Sequence, residues 1–109
     1  MTMKIAYIAG PYRSYKKDGG FNVDGIFENI LEARRVAKKY WHMGYACVTP
    51  HLNTMLMDDD HPDTHWLEGD LEILKRCDVI VMMSGYEKSG GAVAELDLAR
   101  ELGLEIVFD

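Results

Sequence analysis

The segment Ser89-Gly90-Gly91-Ala92-Val93-Ala94-Glu95 sets a hydroxyl and two glycines at the start of a helical pattern, with a carboxylate further in. The first N–H groups of a helix lack intrahelical partners and lie at the positive end of its dipole. Such a turn can receive an anion, and glycine lets a phosphate approach closely. Glu95 follows Ser89 by six residues, about 9 Å along a helix axis at the usual rise. That span suits a nucleotide with its 5′-phosphate at the glycines and its anomeric carbon at the carboxylate. The plainer reading is an N-cap serine and a solvated helix glutamate. Against it stand the neighbours Ala92, Val93, Ala94, Leu96, Leu98 and Ala99, which would partly desolvate a carboxylate turned toward a sheet and raise its pKa.

Asp70 is the natural companion of Glu95. Two carboxylates at an anomeric carbon are the working parts of glycosyl transfer: one attacks, and the other positions it or manages the leaving group's proton. Taken alone, Asp70 reads as an exposed acid between Glu68 and Glu72, so the case for it depends on the elements that carry both acids.

Those elements alternate. Apolar runs at Lys4 to Ala9, Tyr45 to Thr49, Asp78 to Met83 and Glu105 to Phe108 predict four strands. Between them, helical spacing predicts helices over about Asp24 to Met43, Asp63 to Arg76 and Gly90 to Leu102. The first helix carries Ile26, Ile30, Ala33, Val36, Ala37 and Tyr40 on one face and is capped by Gly44. The unbroken apolar character of Val79-Ile80-Val81-Met82 is that of a central strand covered on both faces. The order predicts a flavodoxin-like or Rossmann-like α/β fold: a three-layer sandwich on a four-stranded parallel sheet, order 2-1-3-4. Ligands of such sheets bind beyond the carboxyl ends of the strands, beside the switch point. The loops on that edge are Gly10 to Asn22, Pro50 to Asp63 and Met83 to Gly91. Crossover helices run antiparallel to the strands, which brings Asp70, in the second turn of its helix, to the same edge.

The chain of 109 residues has the size of one domain, and its net charge of −6 argues against a polynucleotide partner. Cys47 and Cys77 lie far apart in or beside apolar runs and read as buried thiols, not as a disulfide or zinc framework. No segment has the length of a membrane span and the N-terminus is too short for a signal peptide, so a cytoplasmic location is expected. His51, His61 and His65 with Asp58, Asp59, Asp60 and Asp63 match no established metal spacing and read as a solvated loop. No metal and no cofactor is expected. The run Glu32, Arg34, Arg35, Lys38 and Lys39 reads as a solvated helix face.

Four of these segments together resemble the nucleoside 2-deoxyribosyltransferase superfamily and its 2′-deoxynucleoside 5′-phosphate N-hydrolase branch. Ala6-Tyr7-Ile8-Ala9-Gly10-Pro11-Tyr12-Arg13 resembles the first strand and phosphate loop. Val48-Thr49-Pro50-His51 resembles the second strand and its histidine, Asp70-Leu71 the catalytic aspartate helix, and Ser89 to Glu95 the serine-glycine loop and nucleophile. Short bacterial and phage-type domains without an assigned function share these motifs. Pro11 stands where the phosphate-binding branch commonly has a small polar residue.

The resemblance implies that Glu95 attacks C1′, with Tyr7 and Asp70 orienting it and assisting the departing base. It implies that Gly10, Arg13, Ser89 and Gly91 hold a 5′-phosphate, with His51 near the sugar or phosphate. The substrate it implies is a small-molecule nucleoside or nucleotide, and the assembly a homodimer or larger homo-oligomer. Two rival functions stay open. One is a non-catalytic nucleotide-binding or sensing module; the other is a phosphoribohydrolase acting on ribonucleoside monophosphates.

Overall fold

The computed structural model describes residues 2–57 and 60–109. Its elements are β1 (Ile5–Ala9), α1 (Val23–His42), β2 (Ala46–Val48), α2 (Pro50–Asn53), α3 (Asp63–Leu74), β3 (Val79–Met82), α4 (Gly90–Leu102) and β4 (Glu105–Phe108), with a single 3-10 turn at Tyr86–Lys88 before α4. The sheet is wholly parallel with the order β2-β1-β3-β4. The fold is therefore the α/β sandwich expected, and its switch point lies between β1 and β3.

Alternation along the central strands divides the core in two. Ala6 and Ile8 of β1, with Val79 and Val81 of β3, meet Ala33, Val36, Ala37 and Tyr40 of α1. On the other face Tyr7, Ala9, Ile80 and Met82 meet Leu74 of α3 and Ala92, Leu96 and Ala99 of α4. Successive side chains of a strand point to opposite faces, so the position of Tyr7 in β1 turns it toward α3 and α4.

Two segments differ from the sequence reading. Pro50 to Asn53 forms the short helix α2 rather than loop, because proline suits the first helical position, where no N–H is needed. Strand β2 is shorter than its apolar run. The N–H of Tyr45 returns to the carbonyl of Tyr40, and Gly44, at φ +99, makes the left-handed turn that ends α1.

The loop after β1 is tied down in two places. Asn22 caps α1 by accepting from the N–H of Gly25 at 3.2 Å, and Asn29 of α1 donates to the carbonyl of Tyr12 at 3.0 Å. A Cβ on Gly25 would lie 2.3 Å from the Ser14 hydroxyl oxygen, so only glycine lets this loop rest on the start of α1.

Candidate active site

Beyond the carboxyl ends of the strands lies a cleft of roughly 720 Å³. Gly10, Arg13, His51, Asp70, Ser89, Gly91 and Glu95 all line it, so residues from four separate segments meet in one place.

Glu95 reaches the cleft because it shares the buried stripe of α4. Ala92, Glu95, Leu96 and Ala99 recur at three and four residues and form the buried face of that helix. The carboxylate is thus carried inward by its neighbours and remains only 7 % exposed. Asp70 occupies the equivalent place in α3, where Leu67, Asp70, Leu71 and Leu74 follow the same spacing, and it is half-buried.

The Tyr7 hydroxyl donates a hydrogen bond to Oε2 of Glu95. Tyr7 itself has no exposure and does not line the cleft, so it can act on Glu95 from beneath but not on a ligand. Burial pushes the Glu95 carboxyl up to about 8; the Tyr7 bond opposes that rise and the charge of Asp70 adds to it. Burial alone pushes Asp70 up to about 6. The Tyr7 hydroxyl is held well above its ordinary range by burial, then by the two carboxylates, and so stays a donor. The charge of Asp70 is felt at Glu95, so the two acids do not titrate independently.

At the mouth, Ser89 is the N-cap of α4. Its hydroxyl oxygen accepts from the N–H of Ala92 at 3.2 Å, which leaves its O–H able to donate to a ligand. A Cβ at Gly91 would meet nothing nearer than 3.9 Å, so the missing side chain is open space at the helix start. Gly10 is glycine for a different reason. A Cβ there would lie 2.6 Å from the sulfur and 2.7 Å from the Cβ of Met83; Gly10 and Met83 are the residues that directly follow β1 and β3.

Arg13 is 19 % exposed and pairs with Asp63, the first residue of α3, at 2.5 Å. Its guanidinium also lies over the rings of Tyr12 and Phe21, at 5.3 and 5.1 Å. An anion taken up by Arg13 would compete with the Asp63 carboxylate for the guanidinium.

His51, on α2, is 5 % exposed. Its Nε2 lies 2.8 Å from the carbonyl oxygen of Pro11. A carbonyl only accepts, so Nε2 carries the proton. Burial lowers the pKa of the ring, which keeps it neutral and leaves Nδ1 as an acceptor.

His61 and His65 stand apart from His51 as exposed rings with centroids 4.0 Å from each other. Asp58 and Asp59 lie outside the described residues, and no group of three metal-ligating side chains occurs among those described. Cys77 is buried and Cys47 half-buried. No helix among the described residues is long and apolar enough to cross a membrane.

The cleft also contains residues that the sequence analysis did not single out as ligand contacts. Lys88 adds a cation beside Ser89, while Trp66 and Leu67 supply the α3 wall. Lys88 sits in a loop already assigned to the ligand edge. Trp66 precedes Asp70 by four residues, and so shares its helix face.

No curated protein sequence matches the chain significantly. Among solved structures, the 2-deoxyribosyltransferase of the psychrotolerant bacterium Bacillus psychrosaccharolyticus is similar, with a TM-score of 0.61 at 18% identity over 95% of this chain and 70% of that one. A likeness at that identity establishes a common fold, with this parallel sheet and its flanking helices. Residues 4–108, which include every side chain of the cleft, match the family described as Domain of unknown function (DUF4406), and the chain belongs to that family.

Proposed function

We propose that the cleft binds a nucleoside or nucleoside 5′-monophosphate and that Glu95 opens its N-glycosidic bond. The observation that carries this reading is a glutamate buried to 7 % exposure at the floor of a cleft. It is held by the Tyr7 hydroxyl and set beside the second carboxylate, Asp70. Burying a carboxylate costs stability, and strongly shifted acids in a cleft are characteristic of functional sites.

Attack by a Glu95 oxygen forms a bond to C1′ as the bond from C1′ to the base nitrogen breaks. The bonding pair leaves with the base, which takes a proton from Asp70 or from solvent. Water, giving its proton to the Asp70 carboxylate or to solvent, or a second base then attacks C1′, and the bond from C1′ to the Glu95 oxygen breaks with its electron pair returning to the carboxylate. The Tyr7 bond holds one oxygen of Glu95 in place and leaves the other to attack. Ser89, Gly90 and Gly91 offer N–H and O–H donors on the 5′ side, where Arg13 can exchange Asp63 for a phosphate. The fold common to this chain and a 2-deoxyribosyltransferase supports the same reading.

A second reading is a binding or sensing module. It draws on the upward shift of Glu95 to about 8, since a protonated Glu95 would donate to a sugar hydroxyl instead of attacking. Incubation with deoxy- and ribonucleosides and their 5′-monophosphates, followed by chromatography of free base, separates the two. Under the enzyme reading the wild type releases base, and Glu95→Ala does not while still binding the same compound. No release from any compound, together with a nucleotide-induced rise in Tm, would favour the sensor.

A further inference from the structure

The loop that carries Arg13 is held by its carbonyls from three sides. The N–H of Met83, just past β3, donates to the carbonyl of Ala9 at 2.8 Å. The side-chain amide of Asn29, on α1, donates to the carbonyl of Tyr12 at 3.0 Å. Between these two, the carbonyl oxygen of Pro11 accepts from Nε2 of His51, on α2, at 2.8 Å. Proline has no N–H, so this carbonyl is the one backbone group through which residue 11 can be tied by a hydrogen bond.

His51 lines the cleft, but neither ring nitrogen is offered to a ligand. Nε2 is engaged by Pro11, and Nδ1 is buried with no partner among the described residues. A buried acceptor left unpaired costs stability, and an apolar side chain of similar size would avoid that cost. What the histidine adds is the N–H that reaches Pro11 from a ring only 5 % exposed. The same ring lies beside that of Tyr12, with centroids 5.7 Å apart. It therefore bears on both residues that lead into Arg13. The Arg13 guanidinium stands over the rings of Tyr12 and Phe21 and against Asp63, and a planar fork of donors grips an oxyanion well only from a fixed position.

We infer that His51 is a positioning residue: through Pro11 and Tyr12 it fixes the backbone from which Arg13 meets the substrate's phosphate, and it does not itself touch the substrate. This inference rests on the reading proposed above and assigns to the His51–Pro11 bond the preference of the cleft for a 5′-monophosphate over the unphosphorylated nucleoside.

Calorimetry on Glu95→Gln, chosen to prevent turnover, gives the affinities of the four common deoxynucleosides and of their 5′-monophosphates. At least one monophosphate is expected to bind about tenfold more tightly than its nucleoside, the share of a charge-assisted contact. Adding His51→Leu should reduce that preference to about threefold or less, while the affinity for the nucleoside itself changes by less than about twofold. Adding His51→Gln instead should keep the preference, because the glutamine amide can donate to Pro11 from the place of Nε2. In an Arg13→Ala background the preference is already small and His51→Leu should lower it no further, since residues acting in series couple in a double-mutant cycle. A loss equal for nucleoside and monophosphate, a loss that glutamine does not restore, or a loss that persists without Arg13 overturns the inference and leaves the glycosidic reading standing. The same holds if nucleosides bind but no monophosphate is preferred. Should His51→Leu fail to fold, nitrogen NMR of the imidazole in Glu95→Gln, assigned with His51→Gln, decides the matter. Nε2 should carry the proton, and the Nδ1 resonance should stay in place on saturation with the preferred monophosphate. An Nδ1 resonance that moves marks a direct contact and overturns the inference. Absence of binding by every compound overturns both this inference and the glycosidic reading.

Discussion

Replacing Glu95 by glutamine removes a charge from the floor of the cleft while keeping the side chain's size and an oxygen for the Tyr7 hydroxyl. The carboxyl titrates at 4.5 when exposed and at about 8 in the fold. A group whose folded pKa is raised favours the folded state fully below the unfolded value, and that favour is lost as pH rises through the folded value. The wild type therefore loses stability between about pH 4.5 and pH 8, at about 1.4 kcal/mol per unit, or roughly 5 kcal/mol in all. Glutamine cannot lose a proton, so the variant is spared this loss. For a domain of this size about 1 kcal/mol corresponds to some 4 °C in Tm. Thermal unfolding followed by circular dichroism should give wild type and Glu95→Gln similar Tm values near about pH 5, with the variant higher by roughly 20 °C near about pH 9. Asp70 also titrates in this range and is present in both proteins; the part of the Glu95 rise that comes from its charge is lost with the substitution. A Tm difference that is the same at both pH values would refute the reasoning, because it would mean that Glu95 is not desolvated when ionised. The same substitution should abolish base release, so one variant would be both more stable and inactive.

The coupled acids predict a bell-shaped kcat/KM profile with limbs near about 6 and about 8. A flat profile over that range would argue against the pair. Tyr7→Phe removes a hydrogen bond to a charged group worth about 1.5–3 kcal/mol, so kcat/KM should fall by about tenfold to a hundredfold with little change in KM. An unchanged rate would show that Tyr7 only fills the core. Gly10→Ala forces a methyl against Met83 and should cost about 1–3 kcal/mol, read as a Tm lower by roughly 4–12 °C. Asp63→Asn breaks an ion pair whose acid is 64% exposed, so its Tm should move by only a few degrees. Its KM for monophosphates should fall relative to unphosphorylated nucleosides, and equal effects on both would separate Arg13 from the phosphate.

Much of this architecture is written in short-range pattern. The four apolar runs, the stripe of α1 and the glycines that end it follow from local propensity and periodicity, and the parallel order follows from the handedness of crossovers. Glu95 was legible because it sits among apolar neighbours at helical spacing, where a charge needs an explanation, whereas Asp70 was legible only through the topology that brings the start of its helix to the same sheet edge. Tyr7 was different. Its residue type says only that it suits a strand, and its role depends on strand parity, which turns it toward α4, and on packing, which sets its hydroxyl against Glu95 across 88 positions of sequence.

Tertiary structure alone decided the rest. Arg13 is an ordinary loop cation until the fold brings Asp63 to it, and Gly10 is conventional loop glycine until Met83 is seen against it. Burial keeps His51 neutral and a carbonyl forty residues away sets which ring nitrogen carries its proton, and local sequence encodes neither. Trp66 lies inside a helix predicted from spacing, and periodicity reports which face is buried but not which side chains wall a cleft.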